Sequence, residues 1–561
     1  MSSATPTSGT SPVRRLSLAG VLRLRRPSEI WFKPALSSVA AVAPPNLLLL
    51  ALGRLDLAMY TMAGSLCALY AHNRPYAARA RTLAWVVLGM LGGLAVALVT
   101  ASLTRNAVVL VTVGALLAAV QKALCDATRV GPPGNVVLTF ISSAALFVPQ
   151  TLGQVPGHLA LATAAGVWAW LVGMAPAPVR PHGPERRATA QALNAAAAYA
   201  ASHRTGEDAP ARAAGYAAVQ AAWQTLLALP STGARATTRH ALERLVVRAE
   251  VALAAPADAD PERLRAWAHA LRGGGRIPRT GDAPGDREEL LGVDAELAAR
   301  PAPLWQRLGP LAPIAARTAL GCALAGYASL ALGIGRPYWA LVTAAALYQA
   351  NLTLTWSRAV QRVVGNLAGV LLFAAIAPLA HLGQALLVLC CLALNFGAEA
   401  LITRNYWLGS VCVTPMALLV TEFAGYQAPG DLMTERAVDT LVGALVGFLA
   451  AVVVTNRRAG NRVEEAVTAA DRARERAARL LAEPAPAPGA LEAARRGLAA
   501  ALTDLRATAD GAAGEWWGRA LPQERVVLAE RSGHRTLAEA VRRQAVRPDR
   551  DAGTRTEDVR P

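Results

Sequence analysis

Two short stretches concentrate residues able to handle an anion and a proton. The first runs Gly335-Arg336-Pro337-Tyr338-Trp339-Ala340 and resumes at Arg358-Ala359-Val360-Gln361-Arg362-Val363-Val364-Gly365, with Gly369 one turn on. At about 100° per residue, Arg358, Arg362, Gly365 and Gly369 share one helical face. Two guanidiniums thus stand at the mouth of a Gly-x-x-x-Gly stripe that must pack against protein rather than lipid. A guanidinium is permanently charged and offers a planar fork of donors matched to a carboxylate. Arg336, Arg358, Gln361 and Arg362 are therefore candidates for gripping an organic anion. The plainer reading is that Arg358 and Arg362 only mark the cytoplasmic end of a span.

The second stretch repeats that logic: Arg436, Asp439, Gly443 and Gly447 fall on one face of the last apolar run. An ionisable residue within hydrocarbon is costly and is a functional candidate by default. Asp439 is a candidate proton carrier, or one half of a static pair with an arginine. Glu399 and Arg404 form a further candidate pair, for coupling or as an interfacial ion pair. The aromatics Tyr338, Trp339, Tyr348, Trp356, Tyr406 and Trp407 sit near predicted span ends. They suit either an interfacial belt or, for Tyr338, Trp339, Tyr406 and Trp407, stacking on an aromatic substrate.

Other chemistries find little support. The six cysteines, at 67, 125, 322, 390, 391 and 412, lie in or beside apolar runs with no C-x-x-C, which argues against a disulfide framework or a zinc site. His72, His158 and His381 are isolated, so no metal is expected. There is no Walker loop, dinucleotide fingerprint or nucleophile elbow. The expectation is a protein without cofactor or catalytic residues, and not an enzyme.

The elements that must position these residues follow from composition. Apolar residues make up 54% of the 561 and charged residues only 17%, against about 45–50% and about 25% in soluble proteins. Segments 180–307 and 457–561 hold 37 of the basic and 30 of the acidic residues, leaving 19 basic and 8 acidic for the rest. That remainder reads as membrane protein. The net charge of +18 divides into +7 for the two charged segments and +11 elsewhere, which argues against nucleic acid as a partner. Arg23, Arg25 and Arg26 interrupt any export-signal core after Arg14-Arg15.

Uncharged stretches able to cross about 30 Å of hydrocarbon fall near 34–53, 57–73, 82–104, 106–121, 134–149 and 157–175. A second set falls near 313–335, 337–356, 363–380, 383–401, 405–422 and 437–456. Alternate loops carry Arg74, Arg79 and Arg81; Lys122 and Arg129; Arg358 and Arg362; and Arg404. With the basic N-terminus inside, this asymmetry predicts cytoplasmic termini and soluble segments. Ala68-Leu69-Tyr70-x-x-Asn73 recurs as Ala346-Leu347-Tyr348-x-x-Asn351, and Arg81 to Gly92 matches Arg358 to Gly369 in spacing. The halves therefore read as parallel repeats of about six transmembrane helices in an all-α fold, each followed by a helical cytoplasmic domain. The predicted divisions are a basic N-terminus (1–33), a first membrane half (34–175), a helical domain with a Gly/Pro linker (176–310), a second membrane half (311–456), a C-terminal helical domain (457–546) and a disordered tail (547–561).

The Arg336-Pro-Tyr338-Trp339-Ala340 start, Arg358-x-x-Gln361-Arg362-x-x-Gly365-x-x-x-Gly369, Asn405-Tyr406-Trp407 and Arg436-x-x-Asp439-Thr440-x-x-Gly443 together resemble the fusaric acid resistance family. These are bacterial inner-membrane proteins related to aromatic acid exporters. The six-span, helical-domain, six-span, helical-domain layout is similar to that of the family. The resemblance lies over 313–456; the first half has no counterpart of Arg362 or Asp439, so the second half is expected to hold the site. The resemblance implies efflux of organic, often aromatic, acids driven by proton motive force. It is compatible with a homo-oligomer or a periplasmic adaptor as partner. A passive anion channel and a membrane scaffold for envelope proteins are the alternatives.

Overall fold

In the computed structural model the chain is described over residues 16, 18–24, 31–203, 209–228, 236–273, 276–279, 303–349, 351–454, 459–487, 489–513 and 523–545. Arg14, Arg15, Arg25 and Arg26, most of the predicted linker, and the tail lie outside these residues. Among the described residues there is no strand. The first membrane half comprises α1 (Phe32–Ala51), α2 (Ala58–Ser65) between two short 3-10 turns, α3 (Tyr76–Leu103), α4 (Ala107–Thr128), α5 (Val136–Leu146) and α6 (Val155–Met174). Four helices, α7 (Gly183–His203), α8 (Ala209–Leu227), α9 (Ala236–Ala254) and α10 (Pro261–Arg272), form a soluble domain. The second half comprises α11 (Ala312–Ala331), α12 (Tyr338–Leu347), α13 (Leu352–Ala380), α14 (Gln384–Ile402), α15 (Tyr406–Thr421) and α16 (Pro429–Val453). The chain closes with α17 (Ala459–Ala482), α18 (Ala490–Ala513) and α19 (Gln523–Ala545).

Among the described residues, nine helices are long and apolar enough to cross a membrane, and three shorter apolar elements, 55–69, 136–146 and 338–347, complete twelve. Their order follows the predicted spans. Two of those spans, 57–73 and 337–356, are not continuous helices. Each breaks at the tyrosine of the repeated Ala-Leu-Tyr, where Tyr70 and Tyr348 turn to extended backbone. Both tyrosines are buried and find a backbone acceptor: Tyr70 donates to the Gly134 carbonyl at 2.7 Å and Tyr348 to the Gly447 carbonyl at 3.1 Å. Burying a hydroxyl that is already bonded costs little, so the break is stable. After the second break, the Asn351 side chain accepts from the Leu354 N–H at 2.8 Å and starts α13 as an N-cap.

The same pairings occur in both halves. The second element packs on the sixth (α2 on α6, α12 on α16) and the third on the fifth (α3 on α5, α13 on α15). The first helix of each half packs on the fourth of the other, α1 on α14 and α11 on α4. Outward-facing leucines such as Leu371, Leu389 and Leu445 are exposed, as hydrocarbon contact requires. Glycine permits the tightest crossings. A Cβ on Gly443 would strike the Ala340 backbone oxygen, and one on Gly365 would lie 2.6 Å from Ser410 Cβ. Gly369 abuts Thr414 and Val411, and Gly447 abuts Ala344 and Leu347. In the first half the packing glycine of α3 is Gly93, not Gly92 as the spacing from Arg81 suggested: Gly92 has nothing within 4 Å, whereas Gly93 faces Gln121 and Ser142.

The two soluble domains touch. Arg495 of α18 pairs with Glu250 of α9 at 3.0 Å, and His534 of α19 lies against Tyr216 of α8 with ring centroids 5.1 Å apart.

Candidate functional site

The buried face of α13 is Thr355, Ala359, Arg362, Asn366, Gly369, Phe373 and Ala377, a column at helical spacing. Arg362 is 4% exposed and therefore lies inside the bundle, not at its mouth as the sequence suggested. Its Nη1 donates to Tyr406 Oη at 2.8 Å, while its Nε has no partner. One turn earlier, the Arg358 guanidinium lies 3.9 Å from the centroid of the Tyr406 ring. One turn later, Asn366 donates to Thr440 Oγ1 at 3.0 Å and accepts from Thr414 Oγ1 at 2.8 Å, tying α13, α15 and α16 together.

Arg436 and Asp439 on α16 complete the polar core. Arg436 is 1% exposed; its guanidinium lies 4.1 Å from the Trp339 ring centroid, and its Nε and Nη1 have no hydrogen-bond partner. Asp439 is fully buried and accepts from Ser329 Oγ at 2.6 Å, with Oδ2 unpartnered. Ser329, not an arginine, is therefore the partner of this carboxyl, which departs from the static-pair reading. Donors left unmade inside a bundle are expensive, and these guanidinium N–H groups have no protein acceptor among the described residues.

Arg358, Arg362, Tyr406, Trp339 and Arg436 border a cavity of about 3300 Å³ between the two halves. It runs from Gln191 and Arg462 at the soluble side to Arg336 and Gln427 at the other end of the bundle. Its wall carries 17 Arg and Lys side chains against three carboxylates, Asp56, Asp126 and Glu399. Arg358, Arg362, Arg404 and Arg436 are among the basic residues. The wall is also aromatic: Phe140 and Phe147 of α5 pack on Trp339 and Tyr338 with centroids 5.6 and 5.7 Å apart.

Several candidates have other duties. Arg336 is bonded to Glu435 and Gln427, closing the end of the cavity away from the soluble domains. Gln361 donates to the Val21 carbonyl at 2.9 Å, Asn405 to Val21 and Arg23 carbonyls at 3.1 Å, and Trp407 Nε1 to the Leu22 carbonyl at 3.2 Å. Residues 18–24 thus lie across one side of the opening. Tyr338, Trp339 and Tyr348 are at most 6% exposed and do not belong to a lipid-facing belt. Among the described residues no ion pair joins Glu399 and Arg404, although both border the cavity.

The sequence pattern gave no sign of Asn366, Ser329, Phe140 or Phe147, and named Thr440 only as part of a motif. Asn366 was within reach, four residues after Arg362 on the same face. Ser329 and Phe140 come from other helices, and no spacing within one segment points to them.

Residues 323–450, which include every residue of this polar core, match a family of known description. The match is to the model described as fusaric acid resistance protein-like. Over 141 residues, 25% of this chain, the sequence is 35% identical to "Uncharacterized membrane protein YvaC" of Bacillus subtilis (strain 168). That stretch covers 22% of YvaC, so the chain spans about a fifth of the length of the curated relative it matches. No solved structure matches. With its apolar helices, the fusaric acid resistance protein-like domain makes this a multi-pass membrane protein.

Proposed function

We propose that this protein is an inner-membrane efflux transporter of aromatic or amphipathic organic acids, driven by the proton motive force. One observation carries the reading: arginines buried among apolar helices keep N–H donors without a protein partner beside a strongly basic cavity. A guanidinium so placed is stabilised by a carboxylate that accepts from its fork. The aromatic wall of Tyr338, Trp339, Phe140 and Phe147 suits the apolar body of such an acid. Asp439 is the proton carrier, because it is fully buried, has one oxygen free and stands one turn from Arg436. Both soluble domains and both termini face the cytoplasm, where the acid enters. The halves are parallel repeats, of which only the second keeps the polar core.

The test uses everted membrane vesicles carrying the full chain, a panel of radiolabelled aromatic carboxylates and an imposed pH gradient. Accumulation in native vesicles, abolished by a protonophore, is expected. Asp439→Asn, isosteric but unable to release a proton, should lose gradient-driven accumulation and keep substrate exchange. Flux that ignores the protonophore would make the protein a passive channel. No flux of any acid, with the protein present in the membrane, would leave it a scaffold.

A further inference from the structure

Residues 18–24 are held at the soluble-domain end of the cavity by their backbone. The carbonyls of three successive residues accept side-chain bonds from the second half. Val21 accepts from Gln361 at 2.9 Å and from Asn405 at 3.1 Å, Leu22 from Trp407 Nε1 at 3.2 Å, and Arg23 from Asn405 at 3.1 Å. Gly20, Val21 and Arg23 border the cavity. The donors alternate along the chain with the groups proposed to meet the anion. Gln361 stands between Arg358 and Arg362, while Asn405 and Trp407 flank Tyr406, whose ring lies beneath Arg358 and whose hydroxyl accepts from Arg362.

The segment is attached mainly through these bonds. Within 18–24 only Val21 is buried, and Leu18, Leu22 and Leu24 remain exposed. A segment that buries so little apolar surface opens at low cost compared with the helices behind it. It nevertheless has a shape of its own: the Val21 N–H donates to the Leu18 carbonyl at 3.3 Å and the Arg23 N–H to the Gly20 carbonyl at 3.1 Å, with Gly20 at φ +80°. We propose that residues 18–24 are an autoinhibitory strap, which closes the approach to Arg358 and Arg362 from the soluble-domain side and leaves when the acid enters. The proposal rests on the transport reading above.

Two variants loosen the strap from opposite sides. Trp407→Phe keeps the ring and removes only the N–H that holds Leu22. Gly20→Val places a β-branched residue at positive φ, which strains the turn, and its Cβ meets nothing within 4 Å, so the cavity wall is undisturbed. Hydrogen exchange over residues 18–24 of the full chain reports release of the strap. Flux of each radiolabelled aromatic carboxylate into everted vesicles reports its consequence. In both variants exchange and initial flux should rise together, on the order of fivefold for one lost hydrogen bond. Faster exchange with native or lower flux would overturn the strap and leave the transport reading in place. Exchange unchanged in both variants would also overturn it, because the segment would then be held by something else. Absence of flux for every acid in the native protein and in both variants would overturn the strap and the transport reading together.

Discussion

In the first half Arg79 donates to the carbonyls of Ala71, His72 and Gly173, and Arg74 to those of Thr128 and Arg129. In the second half Arg362 and Arg436 reach no carbonyl or carboxylate, and part of each guanidinium has no partner. The elements around them pair in the same order. The buried positions of α3, at Arg79, Leu83, Val86, Met90, Gly93, Ala97 and Ala101, repeat the spacing of Thr355, Ala359, Arg362, Asn366, Gly369, Phe373 and Ala377 in α13. Counted along that spacing, Val86 answers to Arg362 and Met90 to Asn366. The first half uses Arg79 to fasten helix ends, as the second uses Arg317, which donates to the Val454 carbonyl at 2.7 and 2.9 Å, but the second half also holds Arg362 and Arg436 with N–H donors left over. The glycine at the crossing is retained in both, so packing and chemistry are separable demands on the same helix face.

This contrast predicts opposite outcomes for two arginine deletions. Arg79→Ala removes three backbone anchors and should cost about 3–5 kcal/mol, as for a broken buried network. It would be seen as a large fall in the unfolding temperature and in membrane abundance. Arg362→Ala removes a buried charge with only one protein hydrogen bond and should leave the unfolding temperature nearly unchanged. Similar losses in both variants would erase the distinction between the halves.

The soluble domains sharpen the comparison, because they link the helices that follow each half. Burial, followed by the nearby Arg212, pushes the His534 imidazole down from its ordinary 6.5 to about 4. A lowered folded-state value means that the stabilisation is fully present above pH 6.5 and is lost as pH falls toward 4. The loss is on the order of 3 kcal/mol. Glu250, raised chiefly by burial, acts in the opposite sense, since its protonation favours the folded contact as pH falls. Hydrogen exchange of α8 and α19 in the full chain should therefore rise between pH 7 and 5, and His534→Phe should flatten that rise. An unchanged profile in the variant would remove His534 from the contact.

The smallest expected effect separates two adjacent glycines. Gly93→Ala would push a methyl onto Gln121 and Ser142 and should cost about 1–3 kcal/mol. Gly92→Ala meets nothing and should be neutral or slightly stabilising. Thermal unfolding of the two variants distinguishes them, and equal shifts would contradict the packing assigned to α3.

Much of this was legible in the sequence. Charge depletion located the twelve apolar elements, and helical spacing put Arg362 with Gly365 and Gly369, and Asp439 with Gly443 and Gly447. What escaped depends on tertiary geometry. The breaks at Tyr70 and Tyr348 occur inside uniformly apolar runs, where hydropathy carries no signal. Ser329 bonds to a residue 110 positions away. The use of Gln361 and Trp407 to hold residues 18–24 reflects a contact over more than 300 positions. The α3 register was misread because Arg81 faces outward while Arg79 is buried.

The central claim is that the second half grips an anion through Arg362 while the first half has an apolar residue at the position that answers to it. The direct measurement is carboxylate flux per reconstituted molecule for native protein, Arg362→Lys, Arg362→Ala and Val86→Ala in proteoliposomes. The account predicts native flux for Val86→Ala, a partial loss for Arg362→Lys, which keeps the charge but not the fork, and a loss of more than about tenfold for Arg362→Ala. Native flux in Arg362→Ala, or equal loss in Arg362→Ala and Val86→Ala, would contradict it.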